Sequence, residues 1–153
     1  MVASNTGSSW FNILSHKTEV SMNVFESVYV FNHDVVGIGE RKLGSLTTGE
    51  LGWLTTCLQE EAIELQDSVQ LVDQVDALCD SIIFTIGGFA RAGLSPEQAE
   101  KCIMTVMAAN FEKKAGQKAG RVVEGVADAV KPEGWVGPEF RIADILGVMY
   151  VKE

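Results

Sequence analysis

The chain is poor in the residues that bind soft metals or staple a fold, with two histidines and three cysteines among 153 residues. Cys57, Cys79 and Cys102 are far apart, odd in number and each set in a helical segment. That excludes a disulfide framework and a zinc pattern, and all three are expected to be reduced, buried, small side chains. His16 and His33 have no acid or cysteine at ligand spacing, so both are expected to be structural or on the surface. Basic residues are scarce too: 12 against 21 acids, for a net charge of −9. A general nucleic-acid or anionic-membrane surface needs a basic face, so both are excluded. No apolar run approaches the ~18 residues that would cross a bilayer. Residues 1–9 are small and polar, with no basic region leading into an apolar core, so no secretory signal is expected and the chain reads as cytoplasmic. What remains is an ordinary globular composition, 46% apolar and 22% charged, long enough for one domain over 1–153 with a real core.

Apolar periodicity and turn residues divide the chain into helices. Val24, Phe25, Val28, Val30 and Phe31 predict a short helix over 23–36, broken by Gly37 and Gly39. A longer one is expected over 48–71, capped by Thr48, with Glu50 in its first turn. Leu51, Leu54, Leu58, Ala62, Leu65 and Val69 form its apolar stripe. A third runs over 72–92, with Val75, Leu78, Ile82, Ile83, Ile86, Phe89 and Ala90 on a broad face and Gly93 as its stop. Ser95-Pro96-Glu97-Gln98 is a capping box with proline in the first helical position. It opens a helix to about Lys114, with Ile103, Val106, Met107 and Phe111 inward and Gly116 and Gly120 beyond its end. Residues 115–140, with Pro132 and Pro138, read as a long ordered loop or short hairpin, and 141–150 as a last short helix. The expected architecture is an all-α helical bundle.

Against that background, six acids fall within a short stretch: Glu60, Glu61 and Glu64, then Asp73, Asp76 and Asp80. On a helical wheel Glu61 lies at the margin of the apolar stripe, and Glu64 about 60° further round. Glu60 points more toward solvent. Asp73, Asp76 and Asp80 cluster along one edge of the next helix, with Gly87 near the same edge where a backbone or ligand could approach closely. Few Lys or Arg lie within one turn to neutralise them. Two antiparallel helices hinged near 71–73 would set the acid edges face to face. Hard oxygen ligands without Cys or His favour Mg²⁺ or Mn²⁺, and such ions commonly serve phosphate chemistry.

The pattern Glu60-Glu61-x-x-Glu64 followed by Asp76-x-x-x-Asp80 resembles the all-α nucleoside-triphosphate pyrophosphohydrolases, the MazG-like and phosphoribosyl-ATP pyrophosphohydrolase-like group. The likeness extends through Gly87-x-x-Ala90-x-x-Gly93, Asn110-x-x-Lys113 and Lys131-x-x-x-x-x-Gly137-Pro138, and covers roughly residues 24–140. One departure stands out. The second helix usually carries Glu-x-x-Asp, whereas Ala77 stands three before Asp80, so Asp76 must substitute, with Asp73 and Asp76 as an alternative pair.

The resemblance implies hydrolysis of a nucleoside triphosphate to monophosphate and pyrophosphate, using two or more Mg²⁺ ions held by Glu61, Glu64, Asp76 and Asp80, with Asp73 as a further candidate. Glu60 or Glu61 would orient or deprotonate water. Lys113, Lys131 and Arg121 would neutralise phosphate charge, and Asn110 would bind sugar or phosphate. Asn12, beside Trp10 and Phe11, could contact the base, and Phe31 and Asn32 repeat that pairing of ring and amide. An amide both donates and accepts, which suits a purine such as guanine. Some phage members of the group act on deoxyguanosine nucleotides, and this short chain resembles them. It further implies a homodimer or homotetramer. Two alternatives stay open: the same fold acting on dUTP or phosphoribosyl-ATP, and a non-catalytic metal-binding oligomerisation module.

Overall fold

Helix starts in this protein are fixed by reciprocal capping. In the computed structural model, which describes residues 22–118, 120 and 124–152, the elements are α1 (Val24–Asp34), α2 (Thr48–Asp67), α3 (Leu71–Arg91), α4 (Pro96–Phe111), β1 (Lys114–Gly116), β2 (Asp128–Val130) and α5 (Glu139–Leu146). The fold is all-α, with one small antiparallel ribbon pairing Lys114 with Val130 and Gly116 with Asp128. Trp10, Phe11, Asn12, His16 and Arg121 lie outside the described residues.

Asn23, Thr47 and Ser95 each cap a helix in a complete capping box. The cap of α2 is Thr47 rather than Thr48. Thr47 sits three before Glu50, whose carboxylate accepts from the Thr47 N–H (2.9 Å) while the Glu50 N–H donates back to Thr47 Oγ1 (3.2 Å). Three residues beyond Thr48 stands Leu51, which has no group to return the bond. These bonds, with Arg41 beside it, hold the Glu50 carboxyl below its ordinary value.

Helix α2 ends four residues earlier than its periodicity predicts. Ser68 takes extended backbone, and its hydroxyl donates to Glu64 O (2.7 Å), terminating the helix. The link 68–70 is then short, closed by Gln74 Nε2 donating to Ser68 O (3.1 Å). Helix α4 also stops short, at Phe111, because Lys114 is drawn into the ribbon.

The densest core forms where α3 meets α4: Leu94, Ala99 and Cys102, packed by Phe25, Phe89, Ile142, Ile145 and Leu146. Several residues expected inside are outside. Leu51 and Ala62 on α2 and Val69 in the link after it are exposed, as are Val75, Leu78 and Ile82 on α3, and Phe111 on α4 is 81% exposed. Periodicity identifies an apolar face but not whether this chain alone covers it. Cys57 and Cys102 are buried as expected, but Cys79 is exposed, because it lies next to that uncovered face of α3.

The α3–α4 turn depends on Gly93, at φ 77°, where an added Cβ would sit 2.5 Å from the Lys42 carbonyl. Gly93→Ala is expected to cost more than the ~1–2 kcal/mol of left-handed backbone alone. Gly52→Ala, in open space inside α2, should instead gain about 0.5–1 kcal/mol. Urea denaturation of both variants checks the pair.

Candidate functional site

Helices α2 and α3 pack as an antiparallel hairpin, and small residues on α3 let them approach. An added Cβ on Gly88 would meet Leu54 Cδ2 at 2.8 Å, and Ala77 is buried. Ala77, the departure from the family pattern, therefore fills a helix contact; the neighbouring Asp76 and Asp80 supply the acids. This close pairing brings the carboxylates of the two helices together.

Glu61 is the centre of the group. Its Oε2 is buried with no hydrogen-bond partner among the described residues. Burial first, then the charges of Asp80, Glu64, Asp76 and Glu60 in that order, push its carboxyl above the ordinary value. Four of the other five acids singled out from sequence thus act on Glu61. Asp73 is not among the groups acting on Glu61; it lies exposed in the first turn of α3, where a negative charge suits the helix dipole.

A raised carboxyl value means that ionisation opposes folding. The cost is absent below the ordinary carboxylate value and fully present once pH exceeds the raised one. An unpartnered buried oxygen among four further carboxylates fits a hard divalent cation, which would satisfy the oxygen and offset the repulsion. As they stand, no three acid, histidine or cysteine side chains among the described residues are placed to share one ion, so closing a coordination shell would require side-chain rotation by the exposed Glu60, Glu64 and Asp76.

A second group gathers at the C-terminal end of α4. Lys113 Nζ donates to Asn110 Oδ1 (2.6 Å). The ammonium groups of Lys113 and Lys131 lie 5.0 Å and 4.6 Å from the Trp135 ring centroid, within cation–π range. Trp135 is itself anchored by Nε1 donating to Ala109 O (2.9 Å). So Asn110, Lys113 and Lys131 do come together, organised by a tryptophan that sequence reasoning missed. The signal was there: Trp135 is the one tryptophan inside the Gly- and charge-rich stretch 115–140.

These two groups are not neighbours within one chain. The axes of α3 and α4 diverge by 118°. At 1.5 Å per residue, the helix axes at Asp80 and Asn110 are then roughly 20 Å apart, longer than three linked phosphates.

A third assembly joins α2 to the C-terminal half of α3. Trp53 packs edge-to-face on Phe84 (6.0 Å), and the Arg91 guanidinium covers its ring at 4.2 Å. An added Cβ on Gly87 would lie 3.2 Å from the Asn32 amide, so the close approach that glycine allows is made by this chain's own Asn32. His33 is exposed and bonds to Asp34 (2.9 Å).

Comparison with protein-family models, curated proteins and solved structures gave no match to this chain. No single described helix is long and apolar enough to cross a membrane.

Replacing the central acid by a neutral isostere should separate its two effects. Glu61→Gln is expected to raise the thermal midpoint in EDTA at neutral pH and to flatten its fall with rising pH. It should also lose the stabilisation that Mg²⁺ confers on the wild type. Thermal melts at several pH values, with and without Mg²⁺, check this.

Proposed function

We propose that the protein hydrolyses a nucleoside triphosphate, a purine one such as GTP or dGTP, to the monophosphate and pyrophosphate, with Mg²⁺ or Mn²⁺. The observation that carries this reading is the buried, unpartnered Glu61 oxygen with Glu60, Glu64, Asp76 and Asp80 acting on it. A structure that only needed an acidic surface would leave these groups dispersed in water rather than crowd them against a helix contact. Glu61, Glu64, Asp76 and Asp80 would hold the cation, and when bound it would screen phosphate charge and make a nearby water more acidic.

The chain's own groups do the rest. Glu60 is exposed on the solvent side of the cluster and accepts a proton from the attacking water. The water oxygen bonds to the α-phosphorus, the bond from that phosphorus to the bridging oxygen breaks, and pyrophosphate leaves. The lysine pair on Trp135 supplies cationic charge for the departing phosphates. Since it lies far from the acids of its own chain, it serves the acids of a neighbouring copy.

Association of copies is supported by a separate feature. Leu71, Val75, Leu78 and Ile82 form a 4-3-4 spaced stripe along α3, each 48–72% exposed. That is the spacing of a helix–helix seam. No large side chain among the described residues is completely buried, so much of the apolar surface awaits a partner. The reading is a homodimer or homotetramer. The alternative of a non-catalytic oligomerisation module would use the same stripe but have no turnover.

Two experiments test these points. A panel of ribo- and deoxynucleoside triphosphates, dUTP included, should release pyrophosphate in a Mg²⁺-dependent manner, and Glu64→Gln should lower the rate by at least a hundredfold while the circular dichroism spectrum is retained. Orthophosphate as first product, or no turnover, would sink the reading. Light scattering should give a multiple of the 16.6 kDa chain mass, reduced toward the monomer by Leu78→Glu.

A further inference from the structure

Asp80 lines one of two adjacent cavities that share the walls Phe31, Ile83 and Phe84, and their chemistry differs from that of the acid cluster. A groove of about 480 Å³ adjoins it, lined by Val24, Ser27, Phe31, Asp80 and Phe84 among others. Phe31, Ile83 and Phe84 also line a more enclosed cavity of about 190 Å³, which is completed by Asn32, Trp53 and Arg91. A flat ring entering past Phe31 would therefore meet aromatic walls, with its remaining substituents directed back toward Asp80.

Two polar groups in the inner cavity have unused capacity. Asn32 is 94% buried, being 6% exposed. Its Nδ2 donates one hydrogen to Val28 O (2.9 Å), which leaves the second hydrogen and Oδ1 for something else. Arg91 is held over Trp53, and its Nε is buried without a hydrogen-bond partner. A buried N–H left unpaired is costly, and a charged one more so. The cavity thus offers two donors and one acceptor between aromatic walls. An asparagine alone pairs with adenine's amino group and ring nitrogen, whereas an arginine N–H requires an acceptor and matches guanine's carbonyl and ring nitrogen.

We propose that the cavity bounded by Phe31, Asn32, Trp53, Phe84 and Arg91 is a subsite for a keto-purine base, guanine in type, with Arg91 as the group that rejects adenine. The proposal deepens the reading of the acid cluster and rests on it for the identity of the whole ligand as a nucleotide. The base sits against Phe31 and Phe84, the Asn32 amide and Arg91 Nε bind its polar edge, and the sugar and phosphates lead out along the groove to Asp80.

The test uses nucleosides, which carry no phosphate, and full-length protein in EDTA, so that neither metal nor hydrolysis enters. Guanosine, deoxyguanosine, adenosine and cytidine are titrated calorimetrically. Guanosine or deoxyguanosine is expected to bind at least about tenfold more tightly than adenosine. Phe31→Ala should weaken that binding about tenfold, the loss that one base–aromatic stack carries. Phe31 is 45% exposed, so this variant is expected to fold, and Phe31→Leu gives a second check with the volume kept. Arg91→Lys retains the charge but lacks Nε, and should erase the preference for guanosine over adenosine. Absence of nucleoside binding, preference for adenosine, or binding indifferent to both Phe31 variants would overturn the subsite. Pyrophosphate release from every triphosphate alike, without nucleoside binding, would remove the subsite and leave the hydrolysis. Guanosine bound through Phe31 with no triphosphate turned over would leave the subsite and remove the hydrolysis.

Discussion

The constraint on which the rest of the structure depends is the close contact of α2 and α3 at a place where both carry acids. Gly88 and Ala77 remove the side-chain bulk that would keep the helices apart, Leu54 fills the space over Gly88, and Glu61 is left with one oxygen buried and unpartnered. Helix packing is strong enough to hold a carboxylate where burial and four like charges oppose its ionisation. A fold that tolerates such a group usually has a use for it, because substituting a neutral residue would remove the cost at once.

The same hairpin organises the surfaces around it. On one side of Asp80, α1 supplies Phe31 and Asn32, and Gly87 lets the amide come close, which produces the aromatic cavity. On another side, α3 turns Leu71, Val75, Leu78 and Ile82 to the exterior. The acids, the cavity and the uncovered stripe therefore all share α3 as a wall. The lysines at the end of α4 are carried away from the acids by the divergence of α3 and α4. In the proposed oligomer the lysines of one copy would balance the acids of another, with the uncovered stripe as the contact.

Much of the fold was legible in the sequence because local interactions fix it. The capping box at Ser95 and the stop at Gly93 were predicted and observed. Where prediction slipped, a neighbouring local rule won: Thr47 displaced Thr48 because Glu50 could answer it, and Ser68 ended α2 while apolar spacing still continued. Of the candidate site, the wheel placed Glu61 at the core margin and grouped Glu64, Asp76 and Asp80 with it. It also grouped Asp73, which lies exposed in the first turn of α3. Burial was less legible: Phe111 and Leu78 have the periodicity of core residues and lie exposed, since periodicity is blind to whether the partner surface belongs to the same chain.

By itself, then, the sequence determined the helices, their ends and the two acid-bearing edges, all of which depend on residues within a few positions of each other. Only the tertiary structure decided that Glu61 is the crowded one, that Trp135 gathers Lys113, Lys131 and Asn110, and that Arg91 on Trp53 shares a cavity with Asn32 beside Gly87. Glu61 with Asp76 and Asp80, Lys113 with Trp135, and Arg91 with Trp53 each join different segments of the chain. Their meeting depends on the angles at which whole helices pack, and no periodicity within one helix encodes that.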